Sequence, residues 1–322
     1  MKLSKRITAL LMVMIIISVL FAGCSKDDVF RIGVNQLDAH AALDASYEGF
    51  VDALAEAGYV DGENIKIDFQ NAQGDLSNAN TIATKLVNDN NDLILAIATP
   101  SAQAVANATK DIPILVTAVT DPQGSGLVAS NEAPGGNVSG TSDLTPVKLQ
   151  IELLAKLIPD AKDIAVLYCS SESNSKIQAD LAIAAAAELG LSATEATVSN
   201  SNEIQQVVQS LVGKVDAIYI PTDNVIAKGM ANVAQVANGN GIPVICGEEG
   251  MVDAGGLATY GINYYKLGYM TGEQAVKIIK DGAKTEDMPI GYLPDEEFTL
   301  KFNEEVANQL GITIPEDLKT GE

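Results

Sequence analysis

The chain contains an internal repeat. A segment that begins at Asp92, DLILAIATPSAQAVANATKDIPILVTAV, has the same order of features as one that begins at Asp216, DAIYIPTDNVIAKGMANVAQVANGNGIPVICG. Each has an acidic residue, an apolar run of strand length, a polar turn, a helix rich in Ala and Val, the pair Ile-Pro and a second apolar run. Strands that are apolar along their whole length and alternate with helices are typical of parallel sheets covered on both faces. The repeat therefore predicts an α/β fold with two similar doubly wound parallel-sheet lobes.

Two segments join the copies. PGGNVSGTSDLTP, residues 134–146, links the first lobe to the second, and GGLATYGINYYKLG, residues 255–268, precedes an amphipathic helix and a closing strand. If that helix packs on the first lobe and the closing strand returns to the second, the chain crosses between the lobes three times. Several parallel crossovers make a hinge, and hinged lobes close around a ligand. The predicted first lobe is 29–143 plus 262–283, and the predicted second lobe is 144–261 plus 284–322.

The N-terminus has the pattern of a secretory signal. The basic stretch MKLSKR is followed by the seventeen apolar residues ITALLMVMIIISVLFAG and then by Cys24. This run is marginal for a membrane span and typical of a signal peptide. The sequence LFAGC resembles the lipobox of bacterial lipoproteins, which implies cleavage after residue 23 and a Cys24 that carries diacylglycerol and an N-acyl chain such as palmitate. Residues 24–28 would be the lipidated tether that holds the protein outside the cytoplasm; the alternative is an uncleaved anchor helix.

The charge of the mature chain restricts its partners. Without residues 1–23 it has 17 Lys and Arg against 42 Asp and Glu, a net charge of about −25. A field of that sign repels phosphate backbones, so nucleic acid is not expected as a partner.

The two remaining cysteines each follow a predicted strand. Cys169 ends IAVLYC and Cys246 ends IPVIC. If these are the first and fourth strands of one lobe, a further strand lies between them and separates them by roughly 10 Å, which is too far for a disulfide. We expect both to be reduced, buried thiols.

Six segments in order resemble one protein family. They are TPSAQA, VTDPQGSGLV, NVSGTSD, PTDN, GEEGMVDAGGLATYGINYYKLG and NEEVANQLGITIP. They are similar to the substrate-binding proteins of ABC importers with the type I periplasmic-binding fold, and more narrowly to the lipoproteins described as binding tryptophan, tyrosine or related ligands. The resemblance implies a monomer that needs no cofactor, binds a small solute and delivers it to the permease and ATPase subunits of an importer.

Ligands of open parallel sheets bind outside the carboxyl ends of the strands. The loops expected there carry Ser, Thr, Asn, Asp, Glu and one His, but neither Lys nor Arg. Thr99 and Ser101 flank a Pro at the start of a helix, whose free amides with these hydroxyls suit a carboxylate; the alternative is that they only cap the helix. Ser173 and Asn174 offer the same chemistry in the second lobe.

Carboxylates in the same loops suit an ammonium group. Thr222, Asp223 and Asn224 follow a strand of the second lobe, and Glu248 follows the next one. Asp223 is the strongest candidate to bind an amine, because charge-assisted hydrogen bonds are strong, although it could also be a helix cap. Asp121 is weaker, since Asp-Pro is first a turn signal. Donors on one side and carboxylates on the other predict a zwitterion, most simply an amino acid.

Two ring-bearing residues complete the predicted site. Tyr260 belongs to a group of four tyrosines near the second crossing and could stack on a flat ligand, or it could only pack against its neighbours. His40 is the only histidine and lies in the first loop at the predicted cleft, where it could contact a ligand or be exposed.

The sequence does not favour an enzyme. One histidine excludes most His-based triads and metal sites, so we expect no catalytic residues and no metal ligands. One segment matches the spacing of a dinucleotide-binding fingerprint, with Gly124, Gly126 and Ala129 after a strand and Asp143 further on. The Pro-Gly-Gly at 134–136, however, leaves too little chain for the helix that this motif requires. The remaining alternatives to a transport receptor are a lipid-anchored sensor that presents its ligand to a membrane receptor and, least favoured, an extracytoplasmic hydrolase.

Overall fold

The structure is a computed structural model that describes residues 29–319, and it contains two sheets. Sheet one has five parallel strands in the order β2-β1-β3-β4-β5. Its strands are β1 (Phe30–Gln36), β2 (Ile65–Asn71), β3 (Leu93–Ile97), β4 (Ile114–Val119) and β5 (Val138–Ser142). All five residues of β3 are buried, as expected for a strand with helices on both faces.

Sheet two has six strands in the order β11-β10-β9-β8-β6-β7. Its strands are β6 (Asp163–Cys169), β7 (Ser192–Val198), β8 (Ala217–Ile220), β9 (Val244–Cys246), β10 (Ala258–Gly261) and β11 (Thr299–Phe302). All neighbours are parallel except β11, which is antiparallel to β10. The two sheets confirm the predicted fold class of two doubly wound lobes.

Helices cover both faces of each sheet. In chain order they are α1 (Ala41–Glu56), α2 (Leu76–Asn88), α3 (Thr99–Ala108), α4 (Val147–Leu157), α5 (Ser173–Glu188), α6 (Ile204–Leu211), α7 (Asn224–Gly239), α8 (Glu249–Asp253), α9 (Tyr264–Asp281), α10 (Glu304–Leu310) and α11 (Glu316–Lys319). Each sheet has an apolar cluster on either side, so each lobe has a core of its own. Lobe one is sheet one with α1, α2, α3 and α9, and lobe two is sheet two with the other helices.

The chain passes between the lobes three times. It leaves lobe one after β5, returns after β10 and leaves again before β11. The last passage comes later than the sequence boundary at residue 284, because Gly291 still donates to the carbonyl of Gly140 at 2.9 Å and accepts from Ser142 at 2.9 Å. Residues 285–291 therefore extend the edge of lobe one.

Helix α9 is fixed to lobe one by close contact of two backbones. A Cβ on Gly268 would lie 1.8 Å from the carbonyl oxygen of Ser46 in α1, and one on Gly49 would lie 2.0 Å from that of Tyr265. Only glycine permits this approach of the helices. The contact holds the chain that has just crossed from lobe two against lobe one.

The cysteines lie as expected. Cys169 ends β6 and Cys246 ends β9, and β8 lies between these strands. Both thiols are buried and free, and burial raises the pKa of each. The predicted absence of a disulfide between them is confirmed.

The predicted signal peptide, Cys24 and tether lie outside the described residues. Within residues 29–319, no helix is long and apolar enough to cross a membrane.

Gly268→Ala tests the packing of α9. The added Cβ would collide with the Ser46 carbonyl, and overpacking of this kind lowers the free energy of unfolding by about 1–3 kcal/mol. Urea denaturation measures the change. Gly239→Ala is the control, because that helical glycine has no atom within 4 Å of an added Cβ. Equal stability of the two variants would contradict the close contact.

Candidate functional site

The carboxyl ends of the two sheets enclose a narrow cavity of about 10 Å³. Lobe one lines it with the loops after β1 and β4, and lobe two with the loops after β6, β8 and β9. The two crossings nearest to it contribute Asp143 and Tyr264. This central cavity has carboxylates, hydroxyls and amides in its wall, together with the apolar side chains of Leu43 and Met251, but neither Lys nor Arg.

Side chains from the two lobes meet around the central cavity. Nε2 of His40 lies 3.1 Å from Oδ1 of Asn224. The hydroxyls of Thr120 and Thr222 are 3.5 Å apart, and Nε2 of Gln178 donates to both, at 3.2 and 2.5 Å. These contacts join the lobes, so the structure shows them closed on each other.

An ion pair also spans the lobes. Nζ of Lys228, in the second turn of α7, lies 2.8 Å from Oδ1 of Asp38, in the loop after β1. The Asp38 side chain is 5% exposed, whereas that of Lys228 is 45% exposed. Because a nearly buried carboxylate depends on its partner, this pair stabilises the closed arrangement. The sequence analysis missed it, since Lys228 lies one turn beyond the strand-end loop that we inspected.

Glu172 fixes the side chain of Asn224, which is the lobe-two partner of His40. Its carboxylate accepts from the side-chain amide of Asn224 at 2.6 Å and from the backbone amide of Val225 at 3.0 Å. Burial and the neighbouring Asp223 raise the pKa of Glu172 to about 8. Burial lowers the pKa of His40, which favours the neutral ring in the closed form.

Asp223 and Glu248 line the central cavity, but both serve as helix caps. The two oxygens of Asp223 accept from the backbone amides of Ile226 at 2.8 Å and Cys169 at 2.6 Å. Those of Glu248 accept from the amides of Gly250 and Met251 at 2.6 and 2.8 Å. Burial raises the pKa of Asp223 and brings that of Glu248 to about 7. The capping alternative considered for Asp223 is thus present in the structure.

Six of the predicted ligand-binding residues line the central cavity. They are His40, Asn174, Thr222, Asp223, Asn224 and Glu248.

Thr99 and Ser101 do not line it. Ala98 is the cap of α3, with φ of 79°, and no side chain caps this helix. Ser101 is buried and donates to Oδ1 of Asn35 at 3.3 Å, and the hydroxyl of Thr99 is buried as well. Both hydroxyls lie inside lobe one because the first turn of α3 packs into its core, and neither of them caps the helix.

Three further predicted residues also lie outside the central cavity. Tyr260 packs against the apolar cluster of lobe two, which was the alternative to stacking. Asp121 accepts from the backbone amide of Gly124 at 2.9 Å, as its turn motif indicated. Ser173 lies 3.4 Å from Nε2 of Gln103 at the rim of the cleft.

Asp143 is the main residue that the sequence analysis did not assign to the site. It follows β5 in the first crossing and is 4% exposed. The hydroxyl of Tyr264, at the start of α9, donates to its Oδ2 at 2.8 Å. Its Oδ1 accepts no hydrogen bond from any described residue, and the same is true of Oδ1 of Asn174 across the central cavity. Burial raises the pKa of Asp143 to about 6, although the hydroxyls of Tyr264 and Thr120 oppose the shift.

A second cavity, of about 320 Å³, lies beside the Lys228 ion pair. It is lined by the loops after β1 and β2 in lobe one and those after β6 and β7 in lobe two, including Glu172 and Asn224. Among residues 29–319, no group of His, Cys, Asp and Glu side chains is arranged to hold a metal ion.

Comparison with known proteins gives one consistent result. A family model described as ABC transporter substrate binding protein matches residues 31–321. The chain is 46% identical to the tyrosine-binding protein of Clostridioides difficile (strain R20291), over 95% of this chain and 92% of that one.

Two solved structures differ in how well they superpose. The chain is 42% identical to an ABC domain from Streptococcus pneumoniae in complex with L-Trp, with a TM-score of 0.87 over 90% of this chain and 97% of that one. It is 50% identical to a ligand-free, open substrate-binding protein with adhesive properties from Clostridium difficile, with a TM-score of 0.68 over the same shares. The more identical protein superposes less well, so the lobes here are not arranged as in that open structure.

The family model spans both lobes, and the related proteins match nearly the whole chain. The type I periplasmic-binding fold predicted from the sequence is confirmed by these structures. Proteins of this family collect solutes outside the cytoplasm. The chain belongs to the ABC transporter substrate-binding protein family and is the substrate-binding protein of an ABC transporter.

Proposed function

We propose that the protein binds an aromatic L-α-amino acid, tryptophan or tyrosine, in the central cavity. It releases this solute unchanged to the permease and ATPase subunits of its importer. It acts as a monomer, tethered to the membrane through acylated Cys24.

The composition of the central cavity carries this proposal. In the closed arrangement its volume of about 10 Å³ has room for about one water molecule, so the lobes must part to admit the solute. Carboxylates without a neighbouring cation favour a ligand with an amine, and the hydroxyls of Thr120 and Thr222 suit its carboxylate. The apolar walls from Leu43, Ala118 and Met251 suit an apolar side chain.

The relatives agree with an aromatic amino acid. One is named for tyrosine, and another was solved with L-Trp. Both are more than 40% identical to this chain, whereas the sugar-bound structures that share the fold are about 16–18% identical and bear on the fold alone.

The tether follows from the first residues of the sequence. A diacylglycerol and an N-acyl chain on Cys24 together give stable membrane attachment, which a single chain does not. The chain from Ser25 onward contains every described residue, so soluble protein of that length is suitable for binding measurements.

Capture occurs by closure of the lobes. In the open form the polar loops at the strand ends are hydrated, and a ligand that contacts both lobes favours the closed form. The His40–Asn224 contact and the Lys228–Asp38 pair form only on closure and add to its stability.

Calorimetric titration of the Ser25–Glu322 protein tests the ligand class. We expect L-tryptophan or L-tyrosine to bind and to stabilise the fold by about 2.7 kcal/mol at a hundredfold excess over Kd. Leucine, myo-inositol and D-allose are the comparison ligands. Stabilisation by a sugar and by no aromatic amino acid would refute the proposal.

Lys228→Ala tests the closure contact. The variant removes the partner of Asp38 in the closed form and leaves the open form unaffected, so ligand affinity should fall about 3- to 20-fold, mainly through faster dissociation. Stopped-flow fluorescence measures the rates. Lys148→Ala is the control, because the Lys148–Glu188 pair lies within lobe two and is exposed; an equal effect of both variants would show that the interlobe pair has no role in closure.

A further inference from the structure

We propose that Asp143 binds the α-ammonium group of the solute and sets the requirement for an amine. The inference rests on the proposed function, because it assigns one group of the proposed ligand to one residue. It differs from the sequence expectation, which gave this role to Asp223.

The hydrogen bonds of the carboxylates distinguish them. Asp223 and Glu248 each accept backbone hydrogen bonds on both oxygens within their own lobe. Asp143 accepts from Tyr264 on Oδ2, and the nearby Thr120 hydroxyl also lowers its pKa, but its Oδ1 has no donor within hydrogen-bond distance among the described residues. Buried polar groups normally have partners, so a carboxylate oxygen without one in a cavity wall indicates a place for a donor from the ligand.

A second acceptor in the same wall supports an ammonium rather than another donor. Oδ1 of Asn174 is also buried without a donor and comes from lobe two. An ammonium group has three N–H bonds and can serve both acceptors at once. Such a ligand would bridge the crossing that carries Asp143 and the lobe that carries Asn174, which favours closure.

The electrostatics lead to the same conclusion. Burying a carboxylate without a cation is costly, and the raised pKa of Asp143, about 6, reflects that cost. The wall of the central cavity has neither Lys nor Arg to compensate it. The ligand's own positive charge would supply the missing partner.

Asp143 lies in the hinge between the two lobes. It lies in the first crossing, and Tyr264, which holds its Oδ2, begins the helix that follows the second crossing. The ammonium group would therefore be fixed at the hinge itself. The walls from His40, Leu43 and Met251 are left to select the side chain.

The assignment implies a pH dependence. The titratable groups that share the wall with Asp143 are Tyr264 from α9, His40 from the loop after β1, Asp223 from the loop after β8, and Glu248 from the loop after β9. A bound ammonium lowers the pKa of Asp143, so this contribution to affinity is complete above about pH 6 and is lost progressively as the pH falls below that value toward the lower pKa of the bound form. Binding near pH 6 should therefore release a proton from Asp143.

Asp143→Asn tests the assignment with two probes, L-tryptophan and indole-3-propionate, which lacks the amine. At neutral pH the variant should bind L-tryptophan at least about 30-fold more weakly, as expected when one partner of a buried charge pair is removed. Binding of indole-3-propionate should be unchanged or stronger. Calorimetric titrations of the variant with L-tryptophan near pH 6, repeated in buffers of different ionisation enthalpy, should show that binding releases fewer protons than in the wild type. Glu248, whose pKa is about 7, also titrates in this range in the wild type, so the comparison is between the two proteins. Asp121→Asn, in a turn outside the cavity, is the control.

The outcomes separate the two proposals. If the wild type binds L-tryptophan and Asp143→Asn weakens both probes equally or neither, the assignment of Asp143 is wrong while the proposed function stands. If the wild type binds no amine-bearing amino acid, both fail.

Should Asp143→Asn not fold, Tyr264→Phe provides the test. Loss of that hydroxyl raises the pKa of Asp143, so the acid decline of L-tryptophan affinity must move to higher pH, and an unchanged decline overturns the assignment.

Discussion

Closing two sheets on each other removes polar strand ends from water, and each buried group there needs a partner. Most of them find one within their own lobe, as Asp223 and Glu248 do with backbone amides. Asp143 and Asn174 each keep one acceptor without a donor. This incomplete pairing explains how a cavity can be closed and still select a ligand by its charge.

The ends of the hinge segments are set by the points at which each crossing is attached to a lobe. Helix α9 follows the second crossing and is fixed to α1 through Gly49 and Gly268, where no larger residue fits. The third crossing starts only after Gly291 has paired with the edge of sheet one. The short segments between these attachments join the two lobes, and the contacts of Lys228 and His40 lie between the lobes.

Much of this could be predicted from the sequence because the repeat defines the sheets. Alternating strands and helices predicted both lobes, and the strand order implied by the repeat correctly kept Cys169 and Cys246 apart. Six of the residues predicted in the loops at the strand ends line the central cavity. The direction of each side chain was not predictable: Ser101 bonds to Asn35 inside lobe one, and Tyr260 packs into the core of lobe two. Asp143 was missed because it lies on a crossing, and Lys228 because it lies one helical turn past its loop.

A crystal structure of the Ser25–Glu322 protein with L-tryptophan tests the central claim most directly. We expect the amino acid between the two lobes, in the cavity lined by Asp143 and Asn174, with the lobes further apart than in this structure and its nitrogen about 3 Å from Oδ1 of Asp143. An amino acid in the larger cavity beside Lys228, or an amine bound to Asp223 or Glu248 with Oδ1 of Asp143 still unpaired, would contradict the account.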